Sequence, residues 1–194
     1  MGGVIERRCW WIVAAIAALG FALRIWAAQG GLWLDEAWSA VMARDAGTLL
    51  GVFLNINHDN NHHLNSLWMQ FVGFDAAPPL ARALSIVTGT AAVLIAALNG
   101  ARRHLALGLI TGLLFAVSPA LVTFGSEARG YAPMVLALLV AILLIDRWLA
   151  GEAERSPATA LAIAFFLGAF SQLTMFFGFS ALAGWVFFAL WKRD

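Results

Sequence analysis

The feature that most constrains this chain is a series of long apolar runs, each close to the ~20 residues a helix needs to cross a hydrocarbon core. They are Cys9 to Ala28, Leu80 to Gly100, Leu105 to Phe124 and Tyr131 to Leu149. A bilayer holds no water to bond stray backbone groups, so runs of this kind close their hydrogen bonds internally as helices. They lack the strict alternation of barrel strands. A further apolar stretch, Ala158 to Trp191, would be roughly 51 Å long as one helix at 1.5 Å per residue, well beyond a ~30 Å core. Ser171, Gln172 and Thr174 divide it, which predicts two short spans over 158–171 and 175–191. The expected fold is all-α: a polytopic transmembrane bundle of about six spans, forming a single module over 1–194.

Composition agrees. The chain is 62% hydrophobic and 12% charged with a mean hydropathy of +0.82, whereas soluble domains are nearer a quarter charged. A formal charge of +1 with four histidines gives no basis for a nucleic-acid partner. Cys9 is the single cysteine, so no intrachain disulfide forms. Glu6, Arg7 and Arg8 precede the first run in the manner of a signal peptide, but the run is too long for an h-region and lacks a small-x-small cleavage site. It reads as a retained first span. Arg24 lies about one turn from its outer end, where it either snorkels to the interface or pairs within the bundle.

Six spans put both termini on one side, together with the breaks Ala101 to His104 and Ala150 to Pro157. That side collects Arg7, Arg8, Arg102, Arg103, Arg147, Arg155, Lys192 and Arg193, against Arg44, Arg82 and Arg129 on the other. The bias places the termini in the cytoplasm of a plasma (inner) membrane protein. The segment Gln29 to Pro79 and the turn Gly125 to Gly130 then face the periplasm or cell exterior.

Three polar signals fall on that outer face. The first is Asp35-Glu36, flanked by Trp33 and Trp38, residues that settle at headgroup level. The apolar pattern Ala37, Val41, Leu49, Leu50, Val52 and Phe53 suits an amphipathic helix in the interface, making this loop hug the membrane. A carboxylate beside low-dielectric lipid is a candidate general base for a hydroxyl or amine; alternatively Asp35 simply caps a helix. The second is the string from Asn57 to Ser66, with His58, Asp59, Asn61, His62 and His63. The i, i+4 spacing of His58 and His62 admits a divalent metal with Asp59 as an oxygen ligand, but Asn-rich turns oppose a helix there, and a hydrated loop or a sugar- or phosphate-binding surface needs the same residues without metal. No cofactor is expected. The third is Ser126-Glu127-Ala128-Arg129-Gly130-Tyr131. Arg129 suits forked phosphate binding with Glu127 orienting it, or else forms an interfacial ion pair with Tyr131 as anchor. Pro119 and Pro133 are positioned to kink the neighbouring spans.

The order and spacing of these motifs resemble the GT-C glycosyltransferases that use polyprenyl-phosphate-linked sugars, among them the relatives of protein O-mannosyltransferase and lipid A aminoarabinose transferase. Asp35-Glu36 follows span one, Asn60-Asn61-His62-His63-Leu64-Asn65-Ser66-Leu67 resembles the family's His-centred patch, and Ser126 to Tyr131 resembles its Ser-Gln-Glu-Ala-Arg-x-Tyr turn, with Gly125-Ser126 standing directly before Glu127. The resemblance implies inverting sugar transfer at the outer face from a polyprenyl-phosphate-sugar donor to a lipid, glycan or protein acceptor. It implies Asp35 as base, Glu36 as the group supporting the acceptor, Arg129 on the departing phosphate, and His62, His63, Asn61, Glu127 and Tyr131 lining the donor and acceptor cavity. Family members are generally more than twice as long, so the chain is expected to be an N-terminal portion. The rival reading, a transporter or channel subunit, calls for buried charge deep in several spans and for inverted repeats; a third is an inactive, truncated scaffold.

Overall fold

The computed structural model describes residues 7–58, 62–153 and 155–192. The chain is all-α, with 77% helix and no strand among the described residues. In chain order the helices are α1 (Arg7–Ala27), α2 (Leu34–Asp45), α3 (Leu49–Leu54), α4 (His63–Val72), α5 (Pro78–Ala81), α6 (Ala83–Ala101), α7 (Leu105–Val117), α8 (Pro119–Phe124), α9 (Tyr131–Leu149), α10 (Ala158–Ser171) and α11 (Met175–Trp191). Three of them, α1, α6 and α9, are long and apolar enough to cross a membrane. Each of α6 and α9 has 19 residues, or about 28 Å of rise, the thickness of a hydrocarbon core.

The helices α7, α10 and α11 are apolar but shorter, with 13, 14 and 17 residues. The run expected as one span over 105–124 is two pieces because Pro119 begins α8 at its first helical position, where its missing N–H costs nothing. In an uninterrupted helix that N–H would have bonded the carbonyl of Phe115. Arg24 takes its place, with Nη2 donating to Phe115 O at 3.1 Å and to Leu121 O at 3.2 Å and Nη1 to Gly20 O at 2.9 Å. Pro133, by contrast, is the third residue of α9, within the first turn whose N–H groups have no intrahelical partner. It therefore breaks nothing, and α9 runs through. The split near Ser171 also forms, with α10 and α11 separated by Gln172 to Thr174.

Arg24 neither snorkels nor finds a carboxylate. It is only 1% exposed; its Nη1 and Nη2 donate to backbone carbonyls of α1, α7 and α8, while Nε is buried without a hydrogen-bond partner. Gly89 and Gly125 make room for it: a Cβ at Gly89 would stand 2.7 Å from Arg24 Nε, and one at Gly125 would collide with the same atom. Arg24 thereby anchors the broken helix beneath the segment that follows it.

Helix α6 is central, packed on α1, α7 and α9, while α9 also carries α10 and α11. The contacts are made by small residues, with Ala17, Val93 and Ala116 joining α1, α6 and α7, and Ala141, Ile145, Ala164 and Leu182 joining α9, α10 and α11. Close approach of small side chains is how helices associate where lipid supplies no hydrophobic drive. The segment between α1 and α6 is itself folded. The single interfacial helix expected after Glu36 is instead α2 and α3, broken at Gly47, whose φ is +71°, with the Thr48 hydroxyl capping α3 through Gly51 N at 3.0 Å. Its exposed apolar residues include Leu34, Val41, Leu49, Leu50 and Leu54.

At the far ends of α6 and α9, Asp146 accepts from both Arg102 and Arg103, and Glu152 accepts from Arg102 at 2.9 and 3.0 Å. These groups staple the two helices at the end opposite α2. Replacing Arg24 by Met leaves the Phe115 carbonyl buried without a donor, which costs about 1–3 kcal/mol. The expected outcome is a lowered thermal unfolding midpoint in detergent, and an unchanged midpoint contradicts the anchoring role.

Candidate functional site

The turn joining α8 to α9 is held from three sides through its backbone. Ala128 N donates to Glu36 Oε1 of α2 at 2.5 Å, Ala128 O accepts from Asn65 Nδ2 of α4 at 2.6 Å, and Arg129 O accepts from Ser85 Oγ of α6 at 3.0 Å. Gly130 lies so close to the Ser171 carbonyl at the end of α10 that any Cβ there would overlap it. The turn is thus fixed before its side chains do anything.

Glu36 is the hub of that clamp. It is 0% exposed and meets Arg82 in a fork, Nε to Oε1 at 2.8 Å and Nη2 to Oε2 at 2.6 Å. Trp33 N also donates to Oε2 at 3.1 Å, so Glu36 rather than Asp35 satisfies the start of α2. The remaining Arg82 donors bond the carbonyls of Ala28, Gly30 and Gly31 at 2.7–3.1 Å, closing off the end of α1. A carboxylate so enclosed has no face for an acceptor. Glu36, which the resemblance implies as support for the acceptor, makes its bonds within the fold, where it sets α2 and the turn.

Asp35 lies one residue earlier on α2 and turns the other way. It lines an open cleft of about 1000 Å³ together with Trp38, His58, His62, Arg129, Tyr131 and Gln172. Arg129 Nη1 pairs with Asp35 Oδ2 at 3.1 Å, the two side chains being 13% and 39% exposed. Arg129 Nε donates to His62 Nε2 at 3.3 Å, and its guanidinium carbon lies 5.5 Å from the Trp33 ring centre and 4.9 Å from that of Tyr131. Aromatic faces favour a cation there. Tyr131 is fixed in turn by stacking on Phe124 at 4.8 Å.

His62 is buried and uses both ring nitrogens. Nδ1 lies 3.1 Å from Ser171 O, a pure acceptor, so Nδ1 carries the proton and Nε2 offers its lone pair to Arg129. Burial, reinforced by the Arg129 charge, pushes the imidazole down to about 4. His62 is accordingly neutral at pH 7 and orients Arg129 without competing for its charge.

The other expected residues fall differently. His63 stacks on Phe53 of α3 at 5.2 Å and faces Phe170 of α10, so it packs these helices rather than lining the cleft. The Glu127 side chain makes no ion pair or hydrogen bond among the described residues, and the carboxylate that orients Arg129 is Asp35 instead. Burial, and then the nearby Glu36 charge, raise the Glu127 carboxyl above its ordinary value. His58 lies in a bend and His62 precedes α4, so the helical i, i+4 alignment considered for a metal is not formed. Asp59 and Asn61 lie outside the described residues. No group of three or more His, Cys, Asp or Glu placed to hold a metal occurs among the described residues.

Sequence reasoning missed Arg82, Ser85, Asn65 and Gln172 as parts of the site. A signal existed for Arg82, a cation at the start of an apolar helix on the arginine-poor face, where a buried partner is the default. Compared with known proteins, the chain matches no family model, no curated protein and no solved structure.

Two outcomes follow from this geometry. Glu36→Ala strands Arg82 and the Ala128 amide, and breaking a buried pair costs about 3–5 kcal/mol, so thermal stability in detergent falls sharply, whereas Asp35→Ala leaves it nearly unchanged; equal effects contradict the assignment of the clamp to Glu36. His62 has a folded value of about 4, below its ordinary 6.5, so its share of stability is complete above pH 6.5 and is lost as pH falls towards 4. Glu127, raised on folding, contributes in the opposite sense. The difference in unfolding midpoint between the wild type and His62→Asn therefore shrinks across pH 6.5 to 4, and a constant difference contradicts the neutral, buried imidazole.

Proposed function

We propose that this chain is the membrane-embedded catalytic module of a glycosyltransferase that moves a sugar from a polyprenyl-phosphate donor to a lipid, glycan or protein acceptor at the outer membrane face. The observation that carries the reading is the meeting of Asp35 and Arg129 in one open cleft, 3.1 Å apart, although 94 positions separate them in the sequence. A carboxylate that accepts a proton and a fixed cation that accepts developing negative charge are the two groups such a displacement needs.

In this reading α1, α6, the broken pair α7 and α8, α9, α10 and α11 make six crossings. The termini and the Arg102, Arg103, Asp146 and Glu152 cluster lie in the cytoplasm, and α2 to α5 with the 125–130 turn lie outside. The charge bias supports that orientation. The exposed apolar residues of α2 and α3 rest in the lipid interface, close to where a prenyl-anchored donor carries its phosphate.

Asp35 removes the proton from the acceptor hydroxyl or amine as that atom attacks the anomeric carbon. The bond from that carbon to the donor phosphate breaks on the opposite side, giving inversion. Arg129, aimed by His62 and framed by Trp33 and Tyr131, receives the departing phosphate. Preorganised charge of this kind is worth most in a water-poor site.

The test is sugar transfer from a prenyl-phosphate-sugar donor in membranes containing the full chain. Asp35→Asn is expected to lower the rate by about 10²–10⁴-fold, the usual contribution of a positioned base. Transfer by Asp35→Asn within threefold of wild type sinks the assignment. Flux of a solute through reconstituted protein without sugar transfer favours a transporter instead.

A further inference from the structure

The roles given to Asp35, Arg129, His62 and Tyr131 account for a base, a phosphate-binding cation and the groups that aim it. The cleft wall also holds Trp38, His58 and Gln172, and the reaction steps leave their chemistry unused. Trp38 follows Asp35 by three residues on α2, so the two side chains share a helix face. The His58 ring packs against its indole at 5.5 Å with the planes 34° apart, yet Trp38 stays 51% exposed. The indole is braced and still presents about half its surface.

Gln172 stands at the break between α10 and α11. The carbonyl just before it, Ser171 O, meets His62 Nδ1 at 3.1 Å, which ties the end of α10 to the group that aims Arg129. Its own side chain is oriented by the next residue, since Leu173 N donates to Gln172 Oε1 at 3.1 Å. A backbone N–H can only donate, so this bond distinguishes the two ends of the amide. Nε2, with its two protons, has no protein partner among the described residues. The cleft therefore offers a braced aromatic surface and an oriented hydrogen-bond donor, in addition to its charged groups.

Resting on the glycosyltransferase reading, we infer that Trp38 and Gln172 form the subsite for the transferred sugar, the indole carrying the pyranose ring and Gln172 Nε2 donating to one of its oxygens. A pyranose has a face made largely of C–H bonds, which settles on the electron-rich face of an aromatic ring. Its rim is set with oxygens that accept hydrogen bonds. The sugar of the donor is bonded directly to the phosphate, so a phosphate on Arg129 brings the ring against the rest of the cleft wall. Trp38, one turn along α2 from Asp35, then holds the anomeric carbon within reach of the base. Both residues are positioning and selecting groups, and neither takes part in proton transfer.

The experiment measures affinity in nanodiscs holding the full chain, using farnesyl methyl phosphate and the farnesyl phosphodiesters of mannose, glucose, galactose and N-acetylglucosamine. Every probe carries one negative charge, so the gain over the methyl diester reports the sugar alone. At least one sugar diester is expected to bind roughly tenfold more tightly than the methyl diester. Trp38→Leu is expected to remove most of that gain and Trp38→Phe, which retains a ring, to keep part of it. Gln172→Met is expected to lower the gain about fivefold, the worth of one hydrogen bond, with the methyl diester bound as in wild type. No gain for any of the sugars, or a gain that survives both Trp38→Leu and Gln172→Met, overturns the subsite. Equal losses for sugar and methyl diesters in Trp38→Leu assign the indole to anchoring in the lipid interface and overturn its part in sugar binding. In each of these cases, methyl diester binding that is lost in Arg129→Ala leaves the glycosyltransferase reading standing. Absence of methyl diester binding, or binding undiminished in Arg129→Ala, sinks that reading and the subsite with it.

Discussion

Glu36 is a carboxylate with no exposed surface, enclosed by four hydrogen bonds from Arg82, Trp33 N and Ala128 N. A buried ion is costly unless its partners compensate it, and here geometry supplies them from three separate parts of the chain. Because the carboxylate can be satisfied only when α2, the start of α6 and the 125–130 turn are all in place, it couples the segment between α1 and α6 to the apolar bundle. The cleft is the space left over once that coupling is made. Arg24 extends the same logic inward, holding the Pro119 break from below through the Phe115 carbonyl that the proline left without a donor.

Much of the fold is legible from the sequence because a lipid-facing helix is determined locally. Apolar length alone marked α1, α6 and α9, and a polar break marked the interruption at 172–174; Pro119, expected only to kink a span over 105–124, ends α7 instead. The segment between α1 and α6 was less legible. Its apolar residues suggested one interfacial helix, but Gly47 at positive φ and the Thr48 cap divide it. What Arg82, Ser85 and Asn65 do depends on contacts across 44 to 63 positions, and nothing in the neighbourhoods of Ser85 and Asn65 announces them.

The site was half legible for a geometric reason. Successive residues on a helix point about 100° apart, since one turn takes 3.6 residues. Asp35 and Glu36 read as a pair along the chain, yet the helix sends the first to the cleft and the second into the core. His62 and His63 separate in the same way at the start of α4, one bonding Arg129 and the other stacking on Phe53. The Glu127 and Arg129 pairing suggested by proximity in sequence gave way to Asp35, because the clamped backbone of the turn leaves Arg129 aimed across the cleft.

Arg24, Arg82 and Arg129 illustrate how partner choice sets what a buried cation can do. Arg24 is matched by neutral carbonyls alone, so its charge is spread over backbone dipoles and it stays put. Arg82 is matched by a carboxylate with every oxygen lone pair contested, and it too is locked. Arg129 differs: its contacts include a neutral imidazole, which fixes direction, and a carboxylate that is partly exposed on the open side. A neutral imidazole fixes the direction of the guanidinium without adding a charge beside it. The burial that keeps His62 neutral is therefore as much a requirement of the cleft as the two charges that face each other across it.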